Sequence, residues 1–262
     1  MVKIATWNVN SIRIRLDLLS RLVKQENPEI ICLQEVKAKE ADFPFDAVQS
    51  LGFNHIALYS IPAYNGVAIL SKIPLQRVEK HQHVGRDDAR HISAIIGHDT
   101  ELHNIYIPAG GDIPDIDSNP SFRHKLQFVD ELADFFEHRP VQKRIICGDF
   151  NIAPNENDVW NHKAMLKIIS HTPIEVEKLT GLYKRGNFVD TVRQFYGNNQ
   201  KLYSWWGYRN LRWQANDKGR RLDHIWCSPQ LASDIKNISF CKEFRFAERP
   251  SDHIPVIAEI KL

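Results

Sequence analysis

The chain has 262 residues, 43% of them hydrophobic and 25% charged, which excludes a disordered tail or a fibrous repeat and allows a sizeable core. Lys and Arg number 34 against 32 Asp and Glu, a net charge of +2, so an anionic partner is permitted but not demanded. No apolar run reaches membrane-spanning length. The first strand-like pattern begins at once, without a signal-like segment, and the four cysteines (Cys32, Cys147, Cys227, Cys241) lack C-x-x-C spacing. The expectation is a soluble, cytoplasmic chain with reduced core cysteines and no membrane partner.

In chain order, VKIATW reads as a strand that runs into Asn8 and Asn10. Arg13 to Gln25 repeats Leu16, Leu19, Leu22 and Val23 at helical spacing. EIICLQ is a second strand and delivers Glu35. FNHIALY, GVAILS, HISAIIG and LHNIYI follow as strands, the last carrying Tyr106. Gly110 to Pro120 is turn-rich and predicts a surface loop. Ser121 to His138 has a helical apolar face of Phe122, Leu126, Val129, Leu132, Ala133 and Phe136. RIICGD is a short buried strand in which Gly148 allows a tight bend, and side-chain alternation across Phe150 sends Asp149 and Asn151 to one side. RLDHIWCS carries Asp223, and IPVIAEI follows Asp252 and His253.

Strands that cluster rather than alternate strictly with helices predict two packed sheets flanked by helices. With no linker or low-complexity tract, residues 1–262 are expected to form a single domain. EIICLQE and RIICGD echo one another, each an apolar strand with a carboxylate at its end, as if two similar halves met at a shared rim.

Each polar strand end has an ordinary explanation. Asn8 could cap the approach to the first helix, Glu35 could pair with Lys37 or Lys39, Asp223 could answer Arg221, and His253 could be a satisfied interior histidine. Together they suit a metal site better than a core. Arg209, Arg212, Lys218, Arg220 and Arg221 follow Tyr203, Trp205, Trp206 and Tyr208, a basic segment beside aromatics that suits a phosphate backbone or a solvated loop. Trp206 and Trp7 are assigned to packing.

WNVNSIR, LQEVK, YIPAGG, GDFNIAP, YSWWGYR, RRLDHI and SDHIPV, in this order over the whole chain, resemble the exonuclease III-type apurinic/apyrimidinic endonucleases of the endonuclease/exonuclease/phosphatase superfamily. The resemblance implies a four-layer α/β sandwich, two mixed β-sheets packed face to face and flanked by helices. It implies a metal-dependent DNA phosphodiesterase of base excision repair that cuts duplex DNA 5′ of abasic sites, with 3′→5′ exonuclease and 3′-end-cleaning activity on blocked ends. It further implies a monomer using Mg²⁺, or Mn²⁺ in its place.

Position by position, the resemblance gives Glu35, Asn10 and Asp252 to the metal. Asp149 aligns or deprotonates the attacking water, with Asn151 and Asn8 fixing it. His253 is the donor to a phosphate oxygen, held by Asp223, and Tyr106 adds a hydroxyl. Trp205 and Leu222 match the pocket for a baseless sugar, and Arg209, Arg212, Lys218 and Arg220 face DNA. Two positions depart from the pattern: Ala109 stands where an amide is usual, and Arg220 where the pocket commonly has Trp. The alternative is a superfamily phosphatase or phosphodiesterase acting on a small or lipid phosphoester.

Overall fold

Two sheets of six strands each carry the molecule. The structure, a computed structural model, describes residues 1–262 apart from 63, 140–142 and 209–212, and apart from the side chain at 213. The strands are β1 (Val2–Asn8), β2 (Ile30–Gln34), β3 (His55–Tyr59), β4 (Val67–Ser71), β5 (Gln76–His83), β6 (Arg86–Ile96), β7 (Thr100–Tyr106), β8 (Arg144–Asp149), β9 (Val189–Asp190), β10 (Asp223–Cys227), β11 (Ile235–Phe240) and β12 (Val256–Ile260). The helices are α1 (Leu16–Glu26), α2 (Phe45–Ser50), α3 (Pro120–Glu137), α4 (His162–Met165), α5 (Pro173–Arg185), α6 (Thr191–Tyr196), α7 (Trp213–Asn216) and α8 (Pro229–Ala232).

The first sheet has the order β11-β12-β1-β2-β4-β3 and the second β5-β6-β7-β8-β10-β9. Side-chain alternation builds the layers. Ile30 and Cys32 of β2, like Ile145 and Cys147 of β8, face the space between the sheets, where Ile69, Ile92, Leu102, Ile225 and Val256 join them. Ile31 and Leu33 point the other way, against Leu19 and Leu22 of α1. Ile146 likewise meets Phe128 and Leu132 of α3 and Leu179 and Leu182 of α5. Helix, sheet, sheet and helix thus form the four-layer sandwich expected from the sequence.

The four cysteines are free and buried, and among the described residues no helix is long and apolar enough to cross a membrane. The first helix begins at Leu16 rather than Arg13, because a short 3₁₀ turn, Ile12–Ile14, precedes it. Three strands lie outside the sequence expectation. β5 is a mostly exposed edge strand whose charged residues hide any apolar alternation, β9 has two residues, and β11 is an edge strand that is largely half-buried. α5 was legible but unread: Thr172 and Glu175 form a capping box with Pro173 in the first turn.

Candidate active site

The central pair in each sheet is parallel, β1 with β2 and β7 with β8. The carboxyl ends of all four strands open on the same rim. Asn8, Tyr106 and Asp149 are the last residues of β1, β7 and β8, and Glu35 follows β2. The chain then turns sharply, with Asn10, Glu35 and Asn151 all at positive φ (47°, 50° and 51°). Polar Asn and a hydrogen-bonded Glu tolerate that conformation where β-branched residues would not. At Gly148 no side chain fits, since a Cβ would come 1.8 Å from the Ile105 carbonyl oxygen.

A continuous polar network joins the strand ends. Asn8 Nδ2 donates to Glu35 Oε1 and to Asp149 Oδ2, each at 2.9 Å. The Tyr106 hydroxyl donates to Glu35 Oε1 at 2.8 Å. The Asn151 backbone N–H donates to Asp149 Oδ1 at 2.9 Å, and its Nδ2 to Asp149 Oδ2 at 3.2 Å. Asp149 and Asn151 therefore meet as expected, but through the left-handed turn at Asn151 beyond the strand, not through strand alternation. Asp223, opposite Asp149 in the β8–β10 register, accepts from His253 Nδ1 at 2.8 Å. His253 Nε2 lies 3.5 Å from Asp149 Oδ2. The suggested Asp223–Arg221 pair is absent: Arg221 is fully buried and held by Asp158 and Asp190.

Burial sets the protonation states. Asp149, 1% exposed, is pushed up to about 7, first by loss of hydration and then by the charge of Asp223, against the pull of His253 and Asn8. For His253 burial opposes charge, but Asp223 and Asp149 outweigh it and push the imidazole up to about 10. Burial, then the charges of Glu35 and Asp149, pushes the Tyr106 hydroxyl up, so it remains a neutral donor. For Glu35 burial works upward, yet hydrogen bonds from Asn8 and Lys37 hold the carboxyl below its usual range.

Two places near the rim can be compared as cation sites. Oxygen or nitrogen atoms of Asp149, Asp223 and His253 lie within 4.8 Å of one another, but a charged His253 offers a proton there and not a lone pair. At the other, the Lys37 ammonium bridges Glu35 Oε2 at 2.6 Å and Asn10 Oδ1 at 2.7 Å. A positive charge already stands between two hard oxygens, and those oxygens fit a hard divalent cation. Asp252 sits one residue group further out, accepting from Asn10 Nδ2 at 3.2 Å and Trp205 Nε1 at 3.0 Å.

Beside Asp252, the Arg220 guanidinium lies 4.8 Å from the Trp205 ring centroid and donates to the Ile169 carbonyl and Ser170 Oγ. Leu222 packs with Ala153, Val159, Met165 and Trp205. Lys218 is exposed, its ammonium 4.6 Å from the Trp160 ring centroid, away from the polar network of the rim. Arg209 and Arg212 lie outside the described residues. Trp206 is 1% exposed, and Trp7 is fully buried beneath the site with Nε1 donating to the His253 carbonyl at 3.2 Å.

Supporting residues went unread in the sequence. Lys125 of α3, fully buried, reaches Glu175 of α5 at 2.5 Å and also donates to the carbonyls of Asn151 (2.8 Å) and Ala109 (3.2 Å). Arg15 donates to the carbonyls of Asn10 and Pro250 and to the Tyr208 hydroxyl. A Lys on the buried face of an amphipathic helix was the available signal.

A model of the endonuclease/exonuclease/phosphatase family matches residues 5–253. The chain belongs to that family. Within it the chain is of the exonuclease III type. It is 30% identical over 268 residues to the exodeoxyribonuclease of Bacillus subtilis, spanning 97% of this chain and 98% of that one. Exodeoxyribonuclease III of Haemophilus influenzae is 28% identical over 273 residues, 99% of this chain and 100% of that one. Among solved structures, an AP endonuclease from Archaeoglobus fulgidus (29% identity) and a 3′ phosphatase from Neisseria bound to a product DNA hairpin (32% identity) each superpose with a TM-score of 0.92 over 100% of both chains. The family's hydrolases depend on divalent metals, and the rim offers the oxygens of Glu35 and Asn10 for one.

Proposed function

We propose that the whole chain, 1–262, is one catalytic domain that uses Mg²⁺ to hydrolyse duplex DNA 5′ of abasic sites and to clean blocked 3′ ends. The observation that carries this reading is the environment of Asp149, a buried carboxyl near neutral pKa fixed by Asn8 and Asn151 and facing a charged His253. A general base works best with a pKa near the operating pH. Asp149 aligns a water and takes its proton as the water oxygen joins phosphorus; the bond from phosphorus to the 3′ oxygen breaks. His253, oriented by Asp223, donates to the phosphate oxygen where negative charge develops, and Tyr106 donates to the same anion.

Glu35 and Asn10, with Asp252 behind them, are the residues that would hold the metal. When bound, such an ion withdraws charge from the phosphate and steadies the departing oxygen. Trp205, Leu222 and Arg220 are proposed to receive the extruded baseless sugar, which costs little stacking to flip out. The support is their adjacency to Asp252; Arg220 replaces an aromatic wall by a cation already stacked on Trp205. Arg209, Arg212 and Lys218 are proposed to meet phosphates further along the duplex. The relatives named as exodeoxyribonucleases and the neighbour named as an AP endonuclease support the substrate class.

An end-labelled duplex with one abasic site, incubated with Mg²⁺ and then with EDTA, tests the reading. One shortened product is expected, lost with EDTA and restored by Mg²⁺. Intact duplex alongside phosphate release from small esters would instead favour the small-phosphoester alternative.

A further inference from the structure

The outer face of the second sheet breaks the pattern that governs the rest of the sandwich. Beneath α3 and α5 this face is mainly apolar on β8 and β10, where Ile146 and Trp226 join Phe128, Leu132, Leu179 and Leu182 and the His224 imidazole stacks on Phe150. On β5, β6 and β7 it presents His81, His83, His91, Ser93, Glu101 and His103 instead. His81 stands directly opposite His91, and Ser93 opposite His103, so adjacent strands bring the imidazoles together. Four of the chain's 12 histidines share this spot, walled by Phe128, Phe135 and Phe136. Polar residues in a packed face call for a reason beyond the fold.

One ring nitrogen from each of His81, His91 and His103 lies within 4.8 Å of the others. His91 Nε2 and His103 Nδ1 are 2.9 Å apart. His103 Nε2 lies 3.1 Å from Glu101 Oε2, so Nε2–H donates to the carboxylate and Nδ1 keeps a lone pair. Arg144 holds Glu101 in place at 2.8 Å. On the far side His83 Nε2 is 2.9 Å from His91 Nδ1, and His83 Nδ1 lies 3.9 Å from Glu131 Oε2.

We propose that His81, His91 and His103 form a zinc site that fastens the edge hairpin of β5 and β6 to β7. Imidazole nitrogen suits a borderline-soft dication, and three such ligands leave a fourth position for water. Loading it requires no net proton release, only a shift of tautomers. His91 Nε2 and His103 Nδ1 turn lone pairs inward, the His91 proton moves to Nδ1, and His83 accepts it at Nε2. The His83 proton then sits on Nδ1, facing Glu131. Glu79 lies 3.9 Å from His81 and is paired with Arg139 at 3.0 Å, which also reaches Glu101 at 3.3 Å. His81, on the edge strand and partly exposed, gives the ion an entrance. The site lies on a different face from the rim of Asp149 and uses none of its residues.

The whole chain, stripped with EDTA and dialysed against Zn²⁺, should retain one equivalent after gel filtration, with a raised Tm. Substituted Co²⁺ should give the visible band of a four-coordinate nitrogen site without a thiolate charge-transfer band. His81→Asn, at the partly exposed position, and His91→Gln should each weaken retention by at least about tenfold and abolish the Tm rise. Far-UV circular dichroism of the metal-free proteins checks their fold. No retained zinc in the native chain, equal retention in folded variants, or a thiolate charge-transfer band in the Co²⁺ protein would each overturn the site, and the first needs no variant.

Discussion

The two sheets follow one plan. Read from β3 in the first and β9 in the second, neighbouring strands pair antiparallel, antiparallel, parallel, antiparallel, antiparallel. β1 therefore corresponds to β7 and β2 to β8, and what they deliver corresponds as well: Asn8 with Tyr106, Glu35 with Asp149. The surroundings differ. Glu35 keeps 19% of its side chain exposed and has an ammonium beside it, whereas Asp149 keeps 1% and faces a second carboxylate. One carboxyl is held below its usual range and the other is pushed up to about 7. Topology places two carboxylates at one rim; hydration and neighbouring charge decide which suits a cation and which suits a proton.

The most severe test of that difference is to remove each carboxyl's charge at constant shape. Asp149→Asn should lower incision by about 10³-fold with folding and DNA affinity retained, and added Mg²⁺ should not restore it. Glu35→Gln should raise the Mg²⁺ needed for half-maximal rate, with rate recovering at high Mg²⁺. Similar rescue of both variants would erase the distinction between the halves.

The second contrast is between cations. Lys125 serves the Asp149 half and is fully buried with Glu175, clamping the turn that carries Asn151. Lys125→Met should cost about 3–5 kcal/mol in urea unfolding, because the buried Glu175 loses its ammonium partner and keeps only the hydrogen bonds from Ser170 and Thr172. Adding Glu175→Gln should recover part of the loss. A single variant as stable as the parent would show that the clamp contributes nothing.

Acid should also act on the second sheet, through His224 of β10. Burial, then Arg221, pushes its imidazole down to about 4. Its Nδ1 accepts from Arg221 at 3.0 Å and its Nε2 donates to the Ile152 carbonyl at 2.8 Å, so a second proton has no acceptor. The unfolded chain takes up that proton near pH 6.5 and the folded chain only near 4. The contribution is complete above 6.5 and is lost as pH falls from 6.5 to 4, at most about 3 kcal/mol. His224→Gln should flatten the fall of unfolding free energy over this window; parallel curves for parent and variant would exclude the effect.

Much of this arrangement was legible because strand ends carry it. An apolar run stopping at Glu35 or Asp149 is an anomaly visible in one dimension, and the echo between EIICLQE and RIICGD anticipated the matched halves. Asn151 shows the limit: alternation named the right pair for the wrong reason, since the left-handed turn is a backbone property that Asn permits without announcing. Arg221 shows another. Placed in a basic segment it read as a surface charge, but Asp158 and Asp190, distant in sequence, draw it inside. Ion pairs between distant segments leave no periodic trace, so Lys125, though out of place on an apolar helix face, did not announce Glu175 as its partner.

The smallest expected effect concerns Lys37, the counterpart of Lys125 in the Glu35 half. Its ammonium bridges Glu35 and Asn10, but 34% of its side chain is exposed. Solvent screens such a pair, so Lys37→Met should change unfolding free energy by only about 0–1 kcal/mol. Its consequence for metal should be clearer than its consequence for stability. The ammonium occupies the oxygens assigned to the cation, and a divalent ion has to displace it. Without that competitor, half-maximal incision should need less Mg²⁺ in Lys37→Met than in the parent. A higher requirement would mean that Lys37 helps to shape the site rather than standing in for its ion, and the two carboxylates would then differ by less than their surroundings suggest.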